Sequence, residues 1–158
     1  MLFDFIRNEE VLFPYYAPEE LKQKNVRFDE AYVLHMNPKS NEDIVAAVHA
    51  YHEAFLENCP EAGANILNIV CNTIANAMAK SPDKPKVFQD KLEFYIDMLT
   101  EEYEYSIGRY YEAIAMIFNL FETEDDEACS AIGWELMDEL IKEENKWALD
   151  FKHYVAEK

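Results

Sequence analysis

Three neighbouring side chains of this sequence have the types and spacing of metal ligands. His49, His52 and Glu53 stand at positions i, i+3 and i+4, so on a helix they would share one side and could ligate a metal ion. Asp150 and His153 form a second pair that could complete the site. The order differs from His-Glu-x-x-His, and the Glu-x-x-His pairs of a dinuclear carboxylate bundle are absent. We therefore interpret these residues as surface side chains and expect no bound metal or other cofactor.

Two pairs of acids form a second pattern that could support chemistry. Glu101-x-x-Glu104 is followed further along the chain by Glu122-x-x-Asp125. This pattern resembles the Glu-x-x-Glu and Glu-x-x-Asp magnesium signature of the all-α nucleoside triphosphate pyrophosphohydrolases of the MazG type. The resemblance covers these four residues and implies carboxylates on two adjacent helices that hold Mg²⁺ and orient water against a phosphate. It departs from the family because one helix is predicted to run through both pairs, so a magnesium-dependent hydrolase is the second alternative function.

The patterns of other enzyme classes are missing from the sequence. There is no Gly-x-Ser-x-Gly motif, and the three glycines make a phosphate-binding glycine loop improbable. Cys59, Cys71 and Cys129 are widely spaced without a Cys-x-x-Cys motif, which is typical of reduced thiols in a reducing compartment. The N-terminus lacks the features of a signal peptide, and no segment is apolar enough to insert readily into a membrane. We predict a cytoplasmic protein that is not an enzyme.

Acidic residues dominate the charge of the chain. Its 32 acids against 14 lysines and arginines give a net charge of −18, which repels nucleic acid and anionic membranes and attracts basic partners or cations. Carboxylates one helical turn apart recur every ~5–6 Å, a spacing comparable to that of phosphates along a nucleic-acid strand. The acids that we predict to bind a partner are Glu93, Asp97, Glu101, Glu102, Glu104, Glu112, Glu122, Glu124, Asp125, Asp126 and Glu127.

These acids predict a binding or inhibitor protein that docks on a basic surface of a partner protein, namely a nucleic-acid-handling protein or a toxin. It would act as a nucleic-acid mimic of the immunity or phage anti-defence type, and would contact neither nucleic acid nor a membrane directly. Specific binding also needs aromatic anchors. Four tyrosines among the acids could serve as anchors, or could instead cap the core with their hydroxyls at its rim: Tyr103, Tyr105, Tyr110 and Tyr111.

A row of asparagines marks the predicted helix of residues 61–80. Asn65, Asn68, Asn72 and Asn76 recur at steps of three or four, within the uncharged run of residues 62–79. One interpretation is a central core helix whose asparagines bond to neighbouring backbone or water. The alternative is a polar face for self-association, since a buried asparagine can set the register of a helix pair. A homo-oligomeric structural or assembly protein, joined through this face or through the N-terminal aromatic arm, is the first alternative function.

The element that must position most of the acids is the stretch of residues 87–121. Its apolar residues recur at steps of three and four, which predicts one continuous helix face, with a bend possible near Thr100 or Gly108. A helix of this length would rise ~50 Å and cross a small domain from end to end. The apolar positions of this face are Leu92, Ile96, Leu99, Tyr103, Ile107, Tyr110, Ile114, Ile117 and Phe121.

The remaining chain is predicted to form further helices of one domain, residues 1–158. The scarcity of glycine and the length of 158 residues favour a single all-α bundle around the long helix, with about five or six helices in all. Residues 1–25 are expected to form an aromatic-rich arm or short helices, and residues 40–158 the bundle. Ser40 is the expected N-cap of one helix, and Thr123 is that of a last helix running near the C-terminus.

Overall fold

The computed structural model describes residues 19–20, 23, 26–36, 39–58, 63–80 and 86–156. Within these ranges the chain is an all-α, single-domain helical bundle, as predicted, and it contains no strand. The predicted N-terminal arm of residues 1–25 lies outside the described residues, apart from Glu19, Glu20 and Gln23. The helices of the described ranges are α1 (Val26–Met36), α2 (Asn41–Asn58), α3 (Gly63–Lys80), α4 (Lys86–Met98), a π-helical turn (Leu99–Tyr103), α5 (Tyr105–Ile117), α6 (Asp126–Lys142) and α7 (Lys146–Ala156).

The helices pack largely in the order of the chain. Helix α1 lies against α2, α2 against α3, and α3 against α4 and α5. Helix α5 is the central element, because it also contacts α6 and α7. Its buried side chains include Ile107, Tyr110 and Ile114, and the core around them extends from Phe28 in α1 to Phe151 in α7.

The prediction of one continuous helix over residues 87–121 is wrong, because the chain folds back in the middle of this stretch. Helix α4 ends at Met98, and the π-helical turn that follows closes with a bond from the amide of Glu104 to the carbonyl of Leu99 at 2.8 Å. The backbone of Glu104 is extended, with φ −131° and ψ 96°. Helix α5 then returns beside α4.

Thr100 and Gly108, the two positions near which a bend was expected, meet at the fold-back. The Thr100 hydroxyl donates to the carbonyl of Ile96 at 2.8 Å. Thr73 makes the same bond to Ile69 inside the unbroken α3, so this bond alone does not end α4. Gly108 of α5 lies directly against this turn, since a Cβ atom there would overlap Oγ1 of Thr100 and stand 2.8 Å from its backbone nitrogen. The spacing of apolar residues could not reveal this reversal, because both halves keep the same helical period.

The apolar positions of this stretch were predicted correctly even though the single helix was not. Tyr103 and Phe121 are partly buried against the core. The other predicted positions are buried: Leu92, Ile96, Leu99, Ile107, Tyr110, Ile114 and Ile117. A side chain needs only the helical period to reach the core, so the pattern identifies buried residues on both sides of the reversal.

Helix α5 ends at Ile117, four residues before the predicted end, in a Schellman motif. Asn119 has the left-handed conformation, with φ 53°, and the amide of Leu120 donates to the carbonyl of Ala115 at 2.9 Å. Asparagine visits this conformation more readily than most residues, because its short polar side chain can bond locally. The chain therefore turns at this point and leaves the helix.

The predicted last helix is two helices. Helix α6 ends in a second Schellman motif, in which Glu144 has φ 63° and the amide of Asn145 donates to the carbonyl of Leu140 at 3.0 Å. Asn145 then caps α7, because its side-chain oxygen accepts from the amide of Ala148 at 3.0 Å. Its side-chain nitrogen donates to the carbonyl of Ser106 at 2.9 Å, which ties this turn to α5.

The helix starts agree with the sequence in one case and differ in another. Helix α2 begins directly after Ser40, as expected. The expectation that Thr123 caps α6 is wrong, because the N-cap is Asp125, whose carboxylate accepts from the amide of Ala128 at 3.0 Å. The Thr123 hydroxyl donates instead to the carboxylate of Asp126 at 2.9 Å.

Candidate protein-binding surface

Acidic side chains are exposed along α4 and the π-helical turn. Glu93, Asp97 and Glu101 recur at one-turn spacing, and Glu102 follows them. All four are exposed, and none forms an ion pair within the described part of the chain. We call these four residues the first acidic surface. Their charge is uncompensated by close contacts among the described residues.

Two of the predicted partner-binding acids are engaged in the fold. Glu112 is half-buried and pairs with Arg109, its Oε2 lying 3.3 Å from Nη1. Glu104 closes the π-helical turn, and its Oε1 accepts a hydrogen bond from the hydroxyl of Ser106 at 3.4 Å. Both carboxylates therefore have structural contacts that the four acids of the first acidic surface lack.

The fold-back places the acids that follow α5 beside the start of α4. The amide of Glu122 donates to Oε1 of Gln89 at 3.2 Å, which joins this loop to the first turn of α4. Glu93 lies one turn further along the same helix. The acids of residues 122–127 therefore lie near one end of the first acidic surface, and the π-helical turn lies at its other end.

Helix α6 and the loop before it form a second, denser acidic region. From residue 122 to residue 144 the sequence holds ten carboxylates and one basic residue, Lys142. We had not predicted the acids after residue 127 as site residues, although this ratio of acids to bases identifies them in the sequence. All ten are exposed, and we call them the second acidic surface: Glu122, Glu124, Asp125, Asp126, Glu127, Glu135, Asp138, Glu139, Glu143 and Glu144.

Close packing on one face holds α6 against α5, and α7 contacts α6 as well. A Cβ atom at Gly133 would stand 2.8 Å from the backbone nitrogen of Ile117 and 2.8 Å from Cβ of Met116, so glycine permits this approach. The hydroxyl of Ser130 donates to the carbonyl of Ile117 at 3.0 Å, which satisfies a carbonyl at the end of α5. Leu136 is buried on the same face.

Trp134 gives α6 an exposed aromatic side chain. It is 41% exposed, and its ring centroid lies 5.8 Å from that of buried Phe151 in α7. One side of the indole is therefore fixed by the fold and another is open to solvent. A tryptophan of this kind among acids is a suitable anchor for a protein interface, and we had not predicted it.

The tyrosines considered as anchors have different surroundings. Tyr110 and Tyr111 are buried, and Tyr103 is half-buried against the core. Tyr105 is 61% exposed, with the guanidinium of Arg109 5.7 Å from its ring centroid. Tyr105 is therefore the tyrosine of this group that is available for contact, whereas the buried pair belongs to the core.

The asparagine row lies mostly inside the bundle. Asn65, Asn68 and Asn72 are buried, and Asn76 is half-buried. The hydroxyl of Tyr111 donates to Asn68, 2.6 Å from Oδ1 and 2.9 Å from its backbone oxygen. Burial raises the pKa of Tyr111 well above its usual value, which keeps the hydroxyl protonated as a donor. Self-association through this face would require residues that the fold buries, so the geometry favours the core interpretation.

The side chains of the histidine cluster point to different partners. His49 is exposed, with Nε2 3.8 Å from Oε1 of Glu53. His52 instead places Nδ1 3.1 Å from the hydroxyl of Tyr95 on α4. Among the described residues, no three His, Cys, Asp or Glu side chains assemble into a group that could hold a metal ion. The geometry therefore gives no support to a metal site built on this cluster.

The four acids that resemble the magnesium signature do not meet. Glu101 and Glu104 precede α5, whereas Glu122 and Asp125 follow it. The 13 residues of α5 lie between the two pairs, a rise of ~20 Å along the helix axis. A shared metal ion between adjacent carboxylate pairs is not compatible with this separation. The resemblance to the MazG-type enzymes therefore ends at the sequence spacing.

Comparison with known protein families, with curated proteins and with solved structures found no match for this chain. The described helices include none with the length and apolar character needed to cross a membrane.

Proposed function

We propose that this protein is an acidic, non-enzymatic binding protein that docks on a basic surface of a partner protein. The observation that carries the proposal is the second acidic surface, where ten exposed carboxylates share a stretch with one lysine. Charge of this density repels itself in the folded chain, and a basic partner relieves that repulsion on binding. The bond between Glu122 and Gln89 joins this region to α4, so the first acidic surface can enlarge the interface.

The partner we propose is a nucleic-acid-handling protein or a toxin with a basic groove. The 17 residues of α6 form one helix, whose length of ~25 Å matches about seven phosphates along one nucleic-acid strand. The five carboxylates of α6 lie in its first turn and its second half, and there they can occupy phosphate positions in the groove. A protein that fills the groove in this way inhibits its partner, which is the action expected of an immunity or anti-defence protein.

The experiment that tests this proposal is capture of partners from host cells by the tagged protein, compared between two charge-reversal variants. One variant carries Glu124→Lys, Glu135→Lys and Glu139→Lys on the second acidic surface. The matched control carries the same number of reversals at exposed acids of the N-terminal half, Glu20→Lys, Asp29→Lys and Glu42→Lys. We expect the wild type and the control to capture the same protein at low salt, and the first variant to lose it.

Elution distinguishes the two parts of the proposal. Duplex DNA should release the captured protein, because DNA and the acidic surface compete for one groove. Capture that survives reversal of the second acidic surface would contradict the proposed docking surface. Capture that is lost on reversal but is unaffected by duplex DNA would support a basic partner and reject nucleic-acid mimicry.

A further inference from the structure

One side of α6 carries a stripe of residues with the spacing of a helix–helix contact. The steps between its members are four, three, four and three, the heptad spacing of positions that face a second helix. Its first four residues are exposed and the fifth is partly buried, while α6 packs on α5 through a different face. We call it the Trp134 stripe, and its members are Glu127, Ala131, Trp134, Asp138 and Ile141.

The centre of the Trp134 stripe has the properties of an interface anchor. Trp134 is 41% exposed and rests against Phe151, so its ring is already partly ordered before a partner binds. Tryptophan is the residue type most enriched among the dominant contacts of protein interfaces. Ile132 is also exposed, at 54%. It lies ~160° from Trp134 around the helix axis, so it projects from nearly the opposite side of α6.

Carboxylates flank the anchor on both sides. Glu127 lies ~10 Å before Trp134 along the helix axis, and Asp138 lies ~6 Å after it. Along α6 the order is therefore carboxylate, indole, carboxylate. A partner helix with both apolar and basic residues complements this order, because its apolar residues can cover the indole while its lysines or arginines meet the two carboxylates. An acidic or uncharged helix would leave the carboxylates without a counter-charge.

We infer that the Trp134 stripe is the docking site for a basic amphipathic helix of the partner. The inference rests on the proposed function, because it assigns a helix to the basic surface that the protein binds. Ile132 stands outside the contact and is therefore a control on the same helix.

The test uses a defined helical peptide in place of the partner. The peptide carries leucines at the a and d positions of its central heptad, which are to cover Trp134, and lysine at its other positions. One control peptide replaces the leucines by serine, and a second replaces the lysines by glutamate. Trp147→Phe leaves Trp134 as the sole tryptophan of the chain, so fluorescence then reports on the anchor. Anisotropy of a labelled peptide gives the affinity for Trp134→Ser and for Ile132→Ser.

We expect the leucine and lysine peptide to shift Trp134 emission to shorter wavelength and to bind roughly tenfold more tightly than either control peptide. Trp134→Ser should weaken binding by a similar factor, whereas Ile132→Ser should not. Circular dichroism checks that both variants fold. If Trp134→Ser is destabilised, acrylamide quenching of Trp134 in the Trp147→Phe protein replaces it, and the bound peptide should protect the ring.

Three outcomes would overturn the inference. They are equal binding of the serine and leucine peptides, equal losses in the Trp134 and Ile132 variants, and an unchanged Trp134 spectrum with full access to acrylamide. Each can occur while charge reversal still abolishes partner capture, in which case the proposed function stands and its contact lies elsewhere. Failure of capture itself would count against the proposed function.

Discussion

The hydroxyl of Tyr111 on α5 lies 2.6 Å from the side-chain oxygen of Asn68 on α3 and 2.9 Å from the backbone oxygen of the same residue. Both residues are buried, so this contact joins the asparagine-rich helix to the central helix where bulk water cannot replace it. Helix α3, which carries no charge before Lys80, is therefore held in the core by polar as well as apolar contacts.

Removing this hydroxyl should destabilise the fold. We expect Tyr111→Phe to lower the free energy of unfolding by about 1–3 kcal/mol, because Asn68 loses a buried donor while the ring is kept. Urea unfolding followed by circular dichroism measures the change. Tyr105→Phe is the matched control, since Tyr105 is 61% exposed, and it should change stability by less than about 0.5 kcal/mol. Equal effects of the two substitutions would show that the buried bond contributes little.

The close approach of Gly108 to Thr100 predicts the sign of a second substitution. Helix propensity alone would make Gly108→Ala stabilising by about 1 kcal/mol. The added Cβ would meet the backbone of Thr100, and such overlap costs about 1–3 kcal/mol or more. We therefore expect a net loss of stability in chemical unfolding. A gain of stability would mean that α5 does not pack against the π-helical turn.

The left-handed residue at the end of α6 predicts a stabilising substitution. Glu144 has φ 63°, a conformation that carries a steric penalty of about 1–2 kcal/mol for residues with a Cβ atom. Glycine avoids this penalty and is the preferred residue at this position of a Schellman motif. Glu144→Gly should therefore raise the free energy of unfolding by up to about 1 kcal/mol, after allowance for the entropy of glycine in the unfolded chain. A matched Glu143→Gly change, one residue earlier in the right-handed region, should instead destabilise.

The contact between His52 and Tyr95 predicts a pH dependence of stability. Burial lowers the pKa of His52, Lys91 and His49 lower it further, and Glu53 acts in the opposite direction. The folded chain therefore favours the neutral imidazole, and the unfolded chain binds more protons once the pH falls below about 6.5. The contribution of His52 to stability is present above that pH. It is lost as the pH falls from there through the lower pKa of the folded state.

Variants isolate this contribution from the titration of the many carboxylates. His52→Gln should lose less stability than the wild type between neutral and mildly acidic pH, because it removes the proton uptake of the unfolded imidazole. His153→Gln, at an exposed position that is not among the groups shifting the pKa of His52, should retain the wild-type pH dependence. If stability changed with pH in the same way in the wild type and in His52→Gln, His52 would not contribute to the pH dependence. Thermal unfolding across this pH range gives the comparison.

The buried positions were predictable because side-chain burial depends on helical period. Ile107 and Ile114 lie in the core as the spacing indicates. The path of the chain between those positions was not predictable in the same way. Gly108 fits against Thr100 only because of a tertiary contact that periodicity does not encode. Glu144 likewise takes a left-handed conformation that its residue type disfavours, and the signal of the break between α6 and α7 that the sequence does hold is the capping residue Asn145.

The sequence predicts the acidic character of the candidate site, but it does not show which residues belong to the site. Acidity after Phe121 was expected, and those acids are exposed. Glu112 and Glu104 were predicted to bind a partner, because the sequence cannot show that Glu112 pairs with Arg109 and that Glu104 accepts from Ser106. Trp134 was missed because an aromatic residue in a helix is more often buried, and its exposure follows from the way α6 packs on α5.

The central claim is that the acids of α6 bind a basic partner, and the salt dependence of affinity tests it most directly. The affinity of the captured partner is measured over a series of salt concentrations for the wild type, for the Glu124, Glu135 and Glu139 reversal, and for the Glu20, Asp29 and Glu42 control. We predict that the reversal on the second acidic surface weakens binding at least roughly tenfold and flattens the dependence of log Kd on log salt, while the control keeps the wild-type slope. Equal slopes and equal affinities for the three proteins would contradict the claim.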